Sequence, residues 1–113
     1  MKLIGSLMED GSSKELSKSW DGLREPGNQL FEILKDAVGF ISSAFVLNWT
    51  PEQSEDIYTV LVNGREVILF EVSKSSGEVL NFRNVSVKEY EKSLRSRQSK
   101  IKLAVAIELA SKQ

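Results

Sequence analysis

The sequence predicts a single α+β domain over residues 1–113: an antiparallel β-meander of about four strands packed with an N-terminal helix and a C-terminal helix. Three stretches predict it. YTVLVNGREVILFEVS, residues 58–73, holds two β-rich runs joined by Asn63-Gly64, the strongest short-range hairpin signal. QLFEILKDAVG, residues 29–39, places Leu30, Ile33, Leu34, Ala37 and Val38 at helical spacing. IKLAVAIELA, residues 101–110, is apolar almost all round, with only Lys102 and Glu108 charged, as expected of a helix buried on most sides. At 113 residues the chain is long enough for a core without disulfide or metal staples.

Taken in order, MKLIGSLMED has one Lys and a short apolar run before Glu9-Asp10, and reads as too short for a signal peptide. Residues 6–28, rich in Gly, Ser and charge, read as irregular, with a short helix around residues 13–20 and with Trp20 and Leu23 pinning the segment to the body. A helix follows over residues 28–38, with Pro26 near its start and Gly39 just past its end. Residues 44–49 are β-branched and aromatic and read as a strand. Thr50-Pro51-Glu52 has the form of a cap, a first-turn Pro and an acidic residue opening one helical turn, and residues 52–56 form a polar connection.

A two-residue type I′ turn at Asn63-Gly64 would pair Val62 with Arg65, Val60 with Val67 and Tyr58 with Leu69. One face then carries Tyr58, Val60, Val62, Val67 and Leu69, and the other Ile57, Thr59, Leu61, Ile68, Phe70 and Val72. A third hairpin strand, residues 78–83, follows Ser75-Ser76-Gly77, read as a three-residue loop with Gly in the left-handed position. That register pairs Val72 with Leu80 and Phe70 with Phe82 and keeps one face continuously apolar. A four-residue loop would flip Leu80 and Phe82 to the side of Glu71. Ser86-Val87-Lys88-Glu89 is a capping box that opens a helix through Tyr90 and Leu94. Residues 95–100 are wholly polar, either a wet helical waist or a break.

The hairpin is apolar on both faces, so something must cover each. In the economical arrangement the chain covers itself. The first helix packs on the face of Ile68 and Phe70, and the last helix lies beside it or across the face of Val60 and Leu69. In the functional alternative a partner completes one side.

Composition narrows the chemistry. Fifteen Lys and Arg face sixteen Asp and Glu, and this balance argues against an electrostatic nucleic-acid binder unless charge is segregated. There is no Cys and no His. That removes thiol nucleophiles, redox pairs, the usual zinc sites and imidazole bases, so no catalytic, cofactor or metal site is expected. Ser73, Ser75 and Ser76 read as turn residues, and no segment is long enough to span a membrane. The basic concentration is Lys88, Lys92, Arg95, Arg97, Lys100 and Lys102. On one helix Lys88, Lys92 and Arg95 would share a face, with Tyr90 as the aromatic neighbour. The densest acidic cluster is Glu52, Glu55 and Asp56, next to a hairpin rigid enough to aim it. Glu66 and Glu71 extend that acidic surface, on the Leu61 and Val60 faces respectively. Such carboxylates suit a basic protein partner. A sheet edge is a second route to a partner.

VNGREVILFEVSKSSGEVLNFRNVSVKEYEKSL followed by SKIKLAVAIELA, from Val62 to Ala110, resembles small bacterial immunity proteins of contact-dependent growth inhibition and polymorphic-toxin systems. The resemblance is one of style, a strand meander leading into a polar-then-apolar helix. It implies a cytoplasmic, non-enzymatic protein that binds and neutralises one cognate toxin domain, often a nuclease. REVILFEVSKSSGEVL also resembles the strand–turn pattern of PepSY-type domains, which implies peptidase inhibition.

Overall fold

The computed structural model describes residues 7–113, with side chains from Asp10 onward. The apolar run at residues 1–6 lies outside the described residues. Eight elements follow in order: α1 (Leu7–Leu23), α2 (Gln29–Val38), β1 (Ala44–Pro51), β2 (Glu55–Val62), β3 (Glu66–Ser73), β4 (Val79–Ser86), α3 (Val87–Ser93) and α4 (Arg97–Ala110). The strands form one antiparallel sheet in the order β1-β2-β3-β4. The α+β meander with helices at both chain ends is therefore the architecture found.

α1 is the largest departure from the sequence reading. The segment expected to be mostly irregular is a 17-residue helix. Ser12, Leu16, Trp20 and Leu23 repeat at helical spacing and are all buried. Gly11 and Gly22 have open space beside them, so each costs only its propensity, about 1 kcal/mol. Packing against β1 and α4 outweighs that cost. α1 also closes one edge of the sheet. The Ser19 hydroxyl accepts the outward-facing N–H of Val46 at 3.1 Å and donates to the Leu16 carbonyl at 2.7 Å.

α2 has the expected limits. Asn28 caps it, accepting from the Phe31 N–H at 3.0 Å while its amide donates to the Gly22 carbonyl at 3.1 Å. One side chain thus starts α2 and fixes its angle to α1.

Thr50-Pro51-Glu52 does not open a helical turn. β1 runs through Pro51, which pairs with Asp56, and the chain reverses where the Glu52 N–H donates to the Glu55 carbonyl at 2.8 Å. On an edge strand the missing N–H of Pro costs nothing.

The β2–β3 register differs by one residue from the expected one. Asn63 and Gly64 take left-handed φ of 56° and 66°, as the turn signal requires, but Val62 stands opposite Glu66, Val60 opposite Ile68 and Tyr58 opposite Phe70. Arg65 stays outside the ladder, its N–H donating to the Val62 carbonyl. A slip of one moves every β3 side chain to the other face. Ala44, Val46, Val60, Val62, Ile68, Phe70 and Val72 therefore share one face, and Phe45, Leu61, Val67, Leu69 and Val85 the other. Both sets are apolar near the turn, so alternation could not select the register. The Asn63 side chain adds a constraint that alternation lacks, because its amide is committed to residues 40–43.

At the next turn the four-residue loop prevails. The Ser73 N–H donates to the Glu78 carbonyl at 2.9 Å across residues 74–77, with Gly77 at φ 74°. Leu80 then pairs with Glu71, not Val72. A bulge at Asn81, φ 51°, corrects the slip and returns Phe82 to the Phe70 side, ring centroids 6.2 Å apart. β4 runs to Ser86, whose hydroxyl accepts the Glu89 N–H at 3.1 Å and caps α3.

Residues 95–100 contain a break. Leu94 leaves helical geometry at ψ 136°, and Ser96 caps α4 through the Ser99 N–H at 3.0 Å. α4 buries Leu103, Val105 and Ala106 and half-buries the rest of residues 101–110 apart from the exposed Ala104 and Ile107, so it is covered round most of its circumference, as its apolar pattern predicts.

The layers follow from these contacts. α3 and α4 take the Leu61 face, with Tyr90 beside Leu69 and Val85, and Ala110 over Gly64. α2 takes the Val60 face. The Gln29 amide at its start lies over Gly77, and Phe40 just past its end offers its carbonyl to Asn63 at the opposite end of the sheet. Trp20 stands at the β1 edge and joins the layers, its ring 6.4 Å from Phe45 and 6.5 Å from Phe31 of α2. Leu34 is the wholly buried residue of α2. Leu34→Ala is expected to cost about 2–5 kcal/mol in urea unfolding, the range for a buried Leu. A loss under about 1 kcal/mol, the size of an ordinary surface effect, would mean that α2 does not close this face.

Candidate protein-interaction surface

α1 guards only the first part of β1. Beyond the Val46 cap the ladder shifts between Val46 and Asn48, leaving Leu47 as the extra, buried residue. The shift re-aims the rest of the strand, and Trp49 emerges on the Tyr58 side with 56% of its surface exposed.

Trp49 is exposed but not loose. Its indole Nε1 donates to Oδ1 of Asp56 at 3.1 Å, and the Lys74 ammonium lies 3.9 Å from the same oxygen. Asp56 is two pairs further along the same hairpin and so on the same face, and the turn geometry itself aims the carboxylate at the indole. Across the ladder Trp49 pairs with Tyr58, Tyr58 stacks on Phe70 with centroids 5.5 Å apart, and Phe70 meets Phe82. An aromatic row thus crosses all four strands. Phe70 is buried and Tyr58 half-buried, and the row surfaces at its ends in Trp49 and Phe82.

Next to Trp49 lies a cleft of about 530 Å³. Val46, Asn48, Trp49 and Tyr58 supply the sheet side, α1 supplies Glu15, Lys18 and Ser19, and α4 supplies Lys102. Lys102 and Glu15 form an ion pair at 2.9 Å across the α1–α4 seam. The floor is apolar and aromatic and the walls carry both signs of charge, a composition suited to a protein side chain or segment.

Burial pushes the Tyr58 phenol above its ordinary value, and the negative charge of Asp56 adds to the effect. Tyr90 is raised by burial alone.

The acidic residues singled out from sequence are separated by the strand. Glu52 lies exposed in the β1–β2 turn. Glu55 and Asp56 are neighbours on β2 and so face opposite ways, with only Asp56 on the Trp49 side. Glu66 stands at the far end of the sheet on the Val60 face, where Asn84 donates to it at 2.7 Å. Glu71 is on the Leu61 face, where Asn81 donates to it at 3.0 Å. The face assignments of Glu66 and Glu71 are thus the reverse of those expected, a direct result of the one-residue register difference.

The basic line is divided as well. Lys88 and Lys92 lie on α3, but Arg95 falls in the break before α4. Ser73, Ser75 and Ser76 bond to one another in the β3–β4 turn, in a structural role. Among the described residues no three His, Cys, Asp or Glu side chains are grouped to hold a metal ion, and no helix is long and apolar enough to cross a membrane.

Sequence reasoning missed Trp49 as a surface group. A Trp at a strand end reads as core. The available signal was the pairing of Trp49 and Asp56 around a short polar turn, which becomes visible only once Thr50-Pro51 is read as strand. Comparison with protein-family models, with curated proteins and with solved structures finds no match to this chain.

The two tyrosines are expected to titrate above the ordinary 10.0. Because the folded-state value is raised, the associated stability is fully present below the unfolded value and is lost as pH rises through the folded one. Asp56→Asn should lower the Tyr58 value part of the way and leave Tyr90 unmoved, read from tyrosinate absorbance. An unmoved Tyr58 would remove Asp56 from its neighbourhood.

Proposed function

We propose that this protein is a non-enzymatic immunity protein that binds and neutralises a cognate toxin domain, and that the Trp49 end of the sheet is its contact surface. One observation carries the reading: a large aromatic side chain left exposed on a sheet edge yet held in one orientation by Asp56. Aromatic anchors supply most of the energy of many protein interfaces. An anchor already fixed before binding loses little further freedom when the partner arrives. Glu52 and Asp56 place negative charge beside it, and the cleft beside Val46 and Tyr58 gives the partner a recess to fill. Carboxylates next to an aromatic anchor suit the basic cleft of a nuclease, where they would speed encounter and compete with phosphate. The nucleic-acid alternative weakens because its basic residues do not share one helix.

The test begins with gene context: the proposal expects a neighbouring open reading frame that encodes a toxin domain, and that domain is co-expressed with the protein. A toxin that stays lethal, with no complex on size-exclusion chromatography, would sink the proposal. Where a complex forms, Trp49→Ala is expected to weaken it by about 2 kcal/mol or more. Glu52→Lys should mainly slow association, most at low salt. Changing Glu52, Glu55 and Asp56 together to Lys should do both, because it also frees the indole. Wild-type affinity and rates in all three variants would move the interface elsewhere on the protein.

A further inference from the structure

The α2–β1 connection is held by a single side chain. Asn63 Oδ1 accepts from the Ser42 N–H at 2.7 Å, the Ser42 hydroxyl at 3.1 Å and the Ser43 N–H at 3.4 Å. Its Nδ2 donates to the Phe40 carbonyl at 2.9 Å. The backbone N–H of Asn63 adds a bond to the Ser43 carbonyl at 2.8 Å. What this clasp presents is Phe40, which is 79% exposed. The residue after Asn63 is Gly64, which has no side chain of its own to hinder attack by its nitrogen and whose φ is 66°.

We propose that Asn63 is a site of spontaneous deamidation, held shut by the fold, and that the modification, once made, releases the loop carrying Phe40. The chemistry is internal to the turn. The Gly64 backbone nitrogen loses its proton to solvent base and attacks Cγ of Asn63. A new C–N bond closes a five-membered succinimide, and the bond from Cγ to Nδ2 breaks as that nitrogen leaves as ammonia. Water then opens the ring at either carbonyl, giving Asp or isoaspartate. No oxidation state changes, and water is the only co-reactant.

In the native turn both ends of the amide are committed to residues 40–43, so ring closure has to break those bonds first. Modification therefore proceeds through turn opening, and its rate follows the population of the open form. The product cannot remake the clasp. An Asp oxygen in the place of Nδ2 meets the Phe40 carbonyl oxygen with no hydrogen between them. Isoaspartate in addition lengthens the backbone of a turn whose two left-handed residues are already closely fitted. Ala110 leaves little room for adjustment, since a Cβ on Gly64 would sit 3.1 Å from the Ala110 methyl.

The whole protein is incubated in mildly alkaline buffer, once folded and once in urea, and the peptide containing Asn63 is followed by mass spectrometry. Deamidation in urea is expected to run at least about tenfold faster than in the folded protein, because the folded turn is rarely open. No deamidation of Asn63 in urea would overturn the site, and equal rates in both states would overturn its protection by the fold. The consequence is read from N63D, with hydrogen exchange measured at residues 40–43. Faster exchange and a lower melting temperature than wild type are expected, and wild-type values for both would overturn the release of the Phe40 loop.

Discussion

Five residues on the central strand pair, Val60, Leu61, Val62, Val67 and Ile68, are wholly buried, and they point to both sides of the sheet. A strand pair with this pattern cannot be an outer layer. It has to be the middle of three, and everything else in the fold answers that requirement. Full burial of each such side chain contributes about 1.5–3 kcal/mol, so an open face here would forfeit an amount comparable to the whole net stability of many small domains. α2 closes one side, α3 and α4 close the other, and α1 seals the seam at the β1 edge, where Trp20 touches both layers. The chain is its own cover near the β2–β3 turn. Toward the opposite end the cover thins, and Leu80, Phe82 and Trp49 come to the surface.

Elements with local signals were legible in the sequence. Asn28 and Gly39 bound α2, Ser86 opens α3, and Asn63-Gly64 and Gly77 take the left-handed conformations that their turns need. What failed to read was set by contacts distant in sequence. α1 looks unstable by itself, with two glycines and many serines, and its helix depends on β1 and α4 for support. The register of β3 was undetermined because its two faces are equally apolar beside the turn. Nothing in residues 62–66 says that Asn63 will bind residues 40–43, and that bond set is what distinguishes the turn from a plain two-residue one. The Asn81 bulge is a further nonlocal correction: it lets a loop of one length coexist with an aromatic contact that belongs to another.

The same distinction explains the candidate surface. Three acidic residues close together in sequence looked like one patch, but a strand alternates, and Glu55 and Asp56 part company on β2. Asp56 keeps its importance for a different reason. It is the group that fixes an exposed Trp and raises a neighbouring phenol, and neither role is visible without the ladder that brings β1 and β2 together.

The manner in which a partner could be held follows from the state of the two sheet edges. A strand added to an open edge gains its affinity mainly through backbone hydrogen bonds, with pockets for alternate side chains left to supply specificity. Both edges here are blunted against that mode. β1 is capped by Ser19 over Val46, kinked at Leu47 and ended by Pro51, which has no N–H to offer. β4 carries a bulge at Asn81 and the charged Arg83 in its centre. Charges, prolines and bulges are the usual means by which sheet edges avoid unselective pairing. With the backbone closed to addition, the recognition proposed for the Trp49 end would run through side chains: an indole for area, Asp56 for its orientation, and Glu52 for the sign of the partner's charge. A surface of that kind depends on a few residues, so one substitution can abolish binding or redirect it to another partner, which the proposed immunity role would require.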